Sequence, residues 1–521
     1  MRKTLFLILI LWLPNGRVFS QSNCKEVVGY YPNWQWYDRN KLVKPTSIDY
    51  SKYTILNYCF FKPMADGTIQ ITDPWADKNL LLGPINWAVA PAGYDTGYDF
   101  GNPAYHQPGQ QLADYCHQNN VKLLPSIGGW TMSDNFPAIA ADPAKRQLFA
   151  QQCVALIQAF NFDGIDLDWE YPGFADHGGT AADEANFTLL LQEIRTAIDN
   201  YGQSVGKTML LTIAVGAGPD RMDDVQWSQI EPLVDIINLM SYDFFGAWDA
   251  QTNHNSPLFA PASGDPTFNL DYAITALTNT YGVDPQKITA GVAFYGRTVK
   301  TASTPGLHVS TTGVGDNVTF WEDDGTPLYY NIQAKMNLFS THWDNTAKVP
   351  YLTGNGSLYT FVSYDDTASI RYKAQYIIDK NLRGAIIWEI TGDYLETSAG
   401  SGVILGTPLV DTLNSVLCHY SSSGNGGGNN GGGNGGGGNA NGVDENNANT
   451  SQLFPNPATH FINVQSQQTE NHWVLYSVTG AIVLRGTAQQ AVFGIPLDAI
   501  ESGLYFLRLN DEPLQQIMVT K

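Results

Sequence analysis

Residues 163–172 read Asp163-Gly164-Ile165-Asp166-Leu167-Asp168-Trp169-Glu170-Tyr171-Pro172. Asp166, Asp168 and Glu170 are spaced by two, so on a β-strand their side chains share one face. Successive members then stand roughly 6.5 Å apart along the strand. Three carboxylates this close cannot all ionise cheaply in a partly desolvated site. At least one is pushed to keep its proton at mild pH, which makes a general acid. Glu170, nearest the C-terminal end of the strand, is the expected donor. A solvated acidic edge would not explain the intervening Ile165, Leu167 and Trp169. A divalent metal site would recruit His or further carboxylates from other strands. None of the nine His falls at a predicted strand end, so no metal is expected.

A strand of this kind needs a scaffold that buries its flanks and leaves its end open. Strand-like runs recur at Val27–Tyr31, Thr54–Phe60, Lys122–Ser126, Gly164–Leu167, Leu210–Val215, Ile236–Met240, Ile288–Val292 and Gly384–Trp388. Helical periodicity fills most of the gaps, as in Arg146–Phe160, Glu184–Asn200 and Ser369–Lys380. Eight such units predict an α/β chain folded as a (β/α)8 TIM barrel, whose active sites lie at the C-terminal ends of the strands. The link after the second strand is long and rich in Trp, Tyr and Gly. The gap before the eighth strand exceeds 80 residues, too long for bare loop, and predicts an inserted subdomain.

The chain has 521 residues, 28 Lys plus Arg against 49 Asp plus Glu, and a net charge of −21. Nearly all the acidity belongs to residues 21–420. Such a chain repels phosphate backbones, so nucleic acid is not an expected partner. Little charge and 13 Trp, 27 Tyr and 23 Phe favour neutral ligands that stack on rings, carbohydrate foremost. Arg2 and Lys3, the apolar run Leu5–Leu13 and the small Ser20 predict a signal peptide over residues 1–20, cut ahead of Gln21. No later run reaches 18 apolar residues, so no membrane span is expected. In an exported chain Cys24 and Cys418 would meet at the bottom of a closed barrel. Cys116 and Cys153 are a second candidate pair, and Cys59 reads as a buried thiol.

Residues 421–450 hold 12 Gly and 9 Asn and read as a flexible linker. The remaining tail, residues 451–521, alternates in short runs and predicts a small β-sandwich. Its Phe454-Pro455-Asn456-Pro457-Ala458, Ser477-Val478-Thr479-Gly480 and Gly503-Leu504-Tyr505 resemble the C-terminal sorting domain of type IX secretion cargo. That resemblance implies the type IX secretion machinery as a partner, export by way of the periplasm, and removal of the tail on the way out.

The Asp163–Glu170 run matches the DxxDxDxE signature of glycoside hydrolase family 18, the chitinases. Five further segments resemble that family in order and position: Gly29–Trp34, Ser126–Trp130, Met240–Asp249, Gly291–Arg297 and Phe361–Asp366, with Trp388 ending the eighth strand. The resemblance covers about residues 25–415 and implies a catalytic barrel at 21–420, with residues 298–358 as the α+β insertion that deepens the cleft. It also implies a secreted, retaining, substrate-assisted chitinase acting on chitin and chitooligosaccharides. Glu170 would be the general acid and base, and Asp168 would orient the substrate's acetamido group. Asp166 would share a proton with Asp168, and Tyr242 would hold the acetyl oxygen. Tyr31, Trp34, Gly128, Gly129, Trp130, Tyr171, Met240, Asp243, Trp248, Tyr295, Arg297 and Trp388 would contact substrate. Arg297 could instead be a structural ion pair, and Trp75 and Trp87 could equally extend the cleft or pack their loop. Ala293 and Ser241 depart from the commoner Pro and Thr. No cofactor is implied, and a monomer is expected. The alternatives are an endo-β-N-acetylglucosaminidase acting on N-glycans, which tends to lack the insertion, and a chitin-binding lectin, which typically lacks the acid.

Overall fold

The computed structural model describes residues 24–418 and most of residues 452–519. The expected leader at 1–20 and linker at 421–450 lie outside the described residues. The chain divides into two compact units, one holding the barrel and the other the tail.

Eight parallel strands build the first unit: β1 (Glu26–Pro32), β2 (Ile55–Pro63), β3 (Lys122–Gly128), β4 (Gly164–Asp168), β5 (Leu210–Gly216), β6 (Ile236–Met240), β7 (Ile288–Ala293) and β8 (Gly384–Trp388). Each pairs with its neighbours in sequence, and β1 pairs with both β2 and β8, which closes the barrel. A short strand, Ile69–Gln70, adds antiparallel to the end of β2. The helices between strands carry legible signals. Pro143–Phe160 starts with Asp142 accepting from the Ala144 N–H at 2.8 Å and with Pro at its first position. It stops at Asn161 in the left-handed conformation.

The barrel interior is layered. Val28, Ile55, Leu124 and Ile236 close the bottom as an apolar plug. Ile165, Leu167 and Trp169 point the other way, into the core between sheet and helices, where Trp169 stacks on Phe136 at 5.4 Å. This period of two leaves Asp166 and Asp168 facing inward.

Between β7 and β8 lies an antiparallel sheet of Phe339–Asp344, Val349–Gly354, Thr360–Ser363 and Arg297–Lys300, with the helix Tyr329–Ala334. It is the α+β insertion expected at 298–358, with its last strand reaching Ser363. In the tail, the strands Gln452–Phe454, Phe461–Gln465 and Val492–Pro496 form one sheet. Ile482–Ala488, Asn471–Ser477, Gly503–Leu509 and Gln515–Val519 form a second. Ile462, Val464, Leu475, Ile495 and Leu507 are buried among the tail's core residues.

Cys24 and Cys418 form a disulfide across 394 residues of chain. The expected Cys116–Cys153 pair does not form. Both cysteines are free thiols buried in the helix–sheet core, at separate sites on two helices. Cys59 is a buried free thiol, as expected. Closing so long a loop restricts the unfolded chain. Cys24→Ser with Cys418→Ser is expected to lower stability by about 2–5 kcal/mol, read as an earlier thermal unfolding transition. An unchanged transition would contradict this.

Candidate active site

The C-terminal ends of β1 to β8 gather the acidic run and the aromatic residues at one mouth. Asp166 is fully buried beneath it and accepts four hydrogen bonds. These come from the Tyr30 hydroxyl at 2.7 Å, the Ser126 hydroxyl at 2.8 Å, the Asn238 amide at 3.1 Å and the Thr212 hydroxyl. The Thr289 hydroxyl donates to the Asn238 oxygen at 2.7 Å and so orients that amide toward Asp166. Burial raises the Asp166 carboxyl above its ordinary value, and the four donors work against that rise.

Asp168 has no comparable set of donors, and its Oδ1 is buried without a partner. Burial first, then the charges of Glu170 and Asp166, hold its carboxyl well above the usual carboxylate range. Burial also pushes Glu170 up to about 7. Tyr171 and the Trp130 N–H oppose that rise, and the Asp243 charge adds to it. Burial thus favours the protonated form at both Asp168 and Glu170, while the four donors on Asp166 hold its carboxyl back from the same rise. An acid that keeps its proton at Glu170, beside an unpartnered buried oxygen on Asp168, can protonate a leaving group while orienting a polar N–H.

Backbone contacts set this geometry. Gly128 ends β3 at φ +113°, and a Cβ there would lie 2.2 Å from the Asp168 carbonyl oxygen. Only glycine lets β3 and β4 approach so closely. Gly129 donates its N–H to the same carbonyl at 2.8 Å. Both glycines are buried against the end of the acidic strand. Asp163 anchors the start of β4 by accepting from the Leu123 N–H at 2.8 Å and contacting the His117 ring at 2.8 Å. Burial works against its anion, but these partners outweigh it and hold the carboxyl below its ordinary value.

The rings divide into floor and rim. Trp388 ends β8, partly exposed, and packs on Phe60 at 5.7 Å, Tyr30 at 5.5 Å and Trp34 at 6.4 Å. Tyr242 packs with Ala293, Tyr295, Leu328 and Trp388, near enough to Asp168 for that charge to hold its hydroxyl protonated after burial has done most of the work. Met240 ends β6, partly buried just below. On the rim, Trp34, Trp130 and Trp248 are 44%, 52% and 60% exposed. Beside Trp34, a cavity of about 480 Å³ is walled by Tyr37 and Asp38 on one side and by Glu322, Asp323 and Thr326 of the insertion on the other. Arg297 both pairs and lines the mouth: its Nε donates to Asp243 at 2.7 Å, and its guanidinium lies 5.0 Å from the Trp248 ring. Tyr295 donates to the same Asp243 oxygen at 2.6 Å. Trp75 stacks on Trp87, lies tilted against Trp36 and packs the long loop after β2.

Tyr31 is a correction. It points away from the mouth into the outer core, fully buried, with its hydroxyl donating to the Val43 carbonyl at 2.8 Å. Its neighbour Tyr30 takes the interior place. The sequence reading also missed Thr212, Asn238 and Phe60, and a parity count from Asp166 through the strand register would have found the first two. Ser241 and Ala293 are accommodated. Ser241 donates to the Gly291 carbonyl at 3.0 Å, and Ala293 is buried under Tyr242. Glu389, next to Trp388, is buried and accepts from the Thr391 N–H at 2.8 Å and its hydroxyl at 2.7 Å. Burial pushes its carboxyl up to about 7. Among the described residues, no group of three or more His, Cys, Asp or Glu is arranged to hold a metal ion.

Residues 26–393, nearly the whole barrel with its acidic trio, match the family described as Glycosyl hydrolases family 18. The chain belongs to that family. Residues 452–520 match the Secretion system C-terminal sorting domain. This family 18 chain is 38% identical over 404 residues to Chitinase A1 of Niallia circulans, an alignment covering 71% of this chain and 57% of that one. It therefore spans little more than half of that relative. It is 34% identical to Chitinase 1 of Aphanocladium album, covering 73% and 83%. Its fold matches Chitinase ChiA74 from Bacillus thuringiensis at a TM-score of 0.63 and 26% identity, covering 95% of this chain and 83% of that one. It also matches an Ostrinia furnacalis Group IV chitinase at 0.62 and 31% identity, covering 76% and 100%. No helix among the described residues is long and apolar enough to cross a membrane.

Proposed function

We propose that this family 18 chain is a chitinase that hydrolyses β-1,4-linked N-acetylglucosamine polymers with retention, assisted by the substrate's own acetamido group. The observation that carries this reading is the pairing of Glu170, held up to about 7 mainly by burial, with the unpartnered Oδ1 of Asp168. The first gives a proton to the glycosidic oxygen. The second accepts the acetamide N–H, which turns the acetyl oxygen toward the anomeric carbon. That oxygen forms a bond to the carbon as the glycosidic bond breaks, giving an oxazolinium ion. The positive charge favours anionic Asp168, whose proton shifts toward the Asp166 set. Tyr242 donates to the acetyl oxygen, and Trp388 supports the distorted sugar from beneath. Water then attacks the same carbon, and Glu170, now ionised, takes its proton. Two inversions at one carbon give net retention.

The residue roles and the boundaries at 20, 420 and 450 belong to the same proposal. So do a monomeric state and secretion by the type IX route after cleavage ahead of Gln21, with the tail as the signal that machinery reads. The polar rim and the insertion wall beside Trp34 suit a long neutral chain rather than a compact glycan stub.

The testing experiment is incubation with N-acetylglucosamine hexamer. Cleavage to shorter oligomers supports the reading. Tight binding without cleavage would make the protein a lectin, and an inert hexamer with release of glycans from a glycoprotein would make it an endo-β-N-acetylglucosaminidase. Because Glu170 must carry its proton to start, kcat/KM is expected to fall as pH rises through about 7, tenfold per further unit. An alkaline limb at pH 5 or below would contradict a buried acid.

A further inference from the structure

Glu170 lies two residues beyond Asp168, the last residue of β4, so its backbone groups have no partner in the sheet. Unpaired backbone groups at such a site need other partners. Two side chains supply them. The Ser133 hydroxyl accepts from the Glu170 N–H at 2.9 Å. His177 Nδ1 lies 2.7 Å from the Glu170 carbonyl oxygen. A carbonyl only accepts, so Nδ1 carries the proton in this contact. The same imidazole packs 4.7 Å from the exposed Trp130 ring and 5.2 Å from Phe174. Phe174 in turn lies 5.8 Å from Trp130 and is covered by the Arg221 guanidinium at 4.2 Å. His177 ends the short turn Ala175–His177 and reaches back seven residues to make these contacts.

We propose that His177 is a positioning residue with two separable arms, resting on the chitinase reading above. The donor arm fixes the plane of the Glu170–Tyr171 peptide, and with it the direction of the Glu170 carboxyl and of the Tyr171 hydroxyl that opposes its rise. The ring arm fixes the face that Trp130 presents to a sugar at the mouth. A residue that only packed the loop would not need a protonated nitrogen on the acid's own carbonyl. A misplacement of about an ångström at the acid costs up to about 100-fold in rate.

Two substitutions separate the arms. In His177→Asn, the amide nitrogen stands where Nδ1 stood and keeps the donor but loses the ring. In His177→Phe, the ring stays and the donor is lost. On N-acetylglucosamine hexamer, His177→Phe is expected to lower kcat by about 10–100-fold with KM held. His177→Asn is expected to hold kcat within about threefold and raise KM by about 3–10-fold. A substrate-free readout accompanies these. With 5-fluorotryptophan labelling, the Trp130 resonance, assigned with Trp130→Phe, should move in His177→Asn and stay in place in His177→Phe. Equal kinetics for both variants, parallel loss of kcat and KM, or an unmoved Trp130 resonance in His177→Asn would overturn the proposal. A wild type inert on every chitooligosaccharide, with the resonance split intact, would overturn the chitinase reading and leave the ring arm standing.

Discussion

Glu170→Gln is expected to lower kcat on N-acetylglucosamine hexamer by about 10²–10⁴-fold while substrate affinity is kept. Gln has the shape of the acid and can hydrogen-bond to the glycosidic oxygen, but it cannot give that oxygen a proton. The loss falls on bond breaking, where the departing sugar oxygen needs neutralising as the bond stretches. In the proposed reading binding rests on the Trp34, Trp130, Trp248 and Trp388 rings at the mouth, which this change leaves alone. The alkaline limb of the pH profile should vanish with the acid that produces it, since the residual reaction no longer depends on its proton. Stopped-time assays with isothermal titration of the hexamer separate the two effects. A variant retaining a third of wild-type kcat would remove Glu170 from its role.

The second large effect is at Asp168. Asp168→Asn keeps the shape and an acceptor oxygen but removes the charge. If that charge stabilises the oxazolinium ion, kcat should fall by about 10²–10³-fold, the scale found when one preorganised electrostatic group is removed from a closed site. The alkaline limb near pH 7 should stay close to its place, because Glu170 owes its rise chiefly to burial and then to Asp243. A drop in kcat with an unmoved limb would place Asp168 on the intermediate rather than on the acid. Little change in kcat would contradict the substrate-assisted scheme. The Asp166 hub beneath explains why Asp168 is free for this work. Tyr30, Ser126, Asn238 and Thr212 all spend their donors on Asp166, so the neighbouring oxygen of Asp168 remains open.

The barrel was legible because its strands and helices carry different periods and because each strand ends near a turn signal. The acidic trio was legible because spacing by two on a strand has only one consequence. Tyr30 and Tyr31 show where such reading fails. β1 is buried on both faces, as parallel barrel strands are, so its hydrophobic alternation disappears and either tyrosine could face inward. Only the register settles it: Tyr30 pairs with Asn57 and reaches Asp166, while Tyr31 turns out to Val43. Thr212 and Asn238 carry no charge and announce no chemistry until Asp166 is placed between them. Cys116 and Cys153 failed for a related reason. Their helices were legible, but the angle at which each helix lays its cysteine on the sheet is a tertiary property. At Gly128 the missing Cβ lets two backbones touch, and at Gly129 it leaves room for the Phe60 ring.

The configuration of the first product tests the acetamido group as nucleophile most directly. N-acetylglucosamine hexamer should be mixed with enzyme and the anomeric protons followed by NMR within the first minutes, before mutarotation equalises them. The substrate-assisted route through Glu170 and Asp168 predicts newly formed reducing ends that are β-anomers, drifting later toward the equilibrium mixture. New ends that begin as α-anomers would mean a single inversion by water, and would contradict the acetamido group as nucleophile.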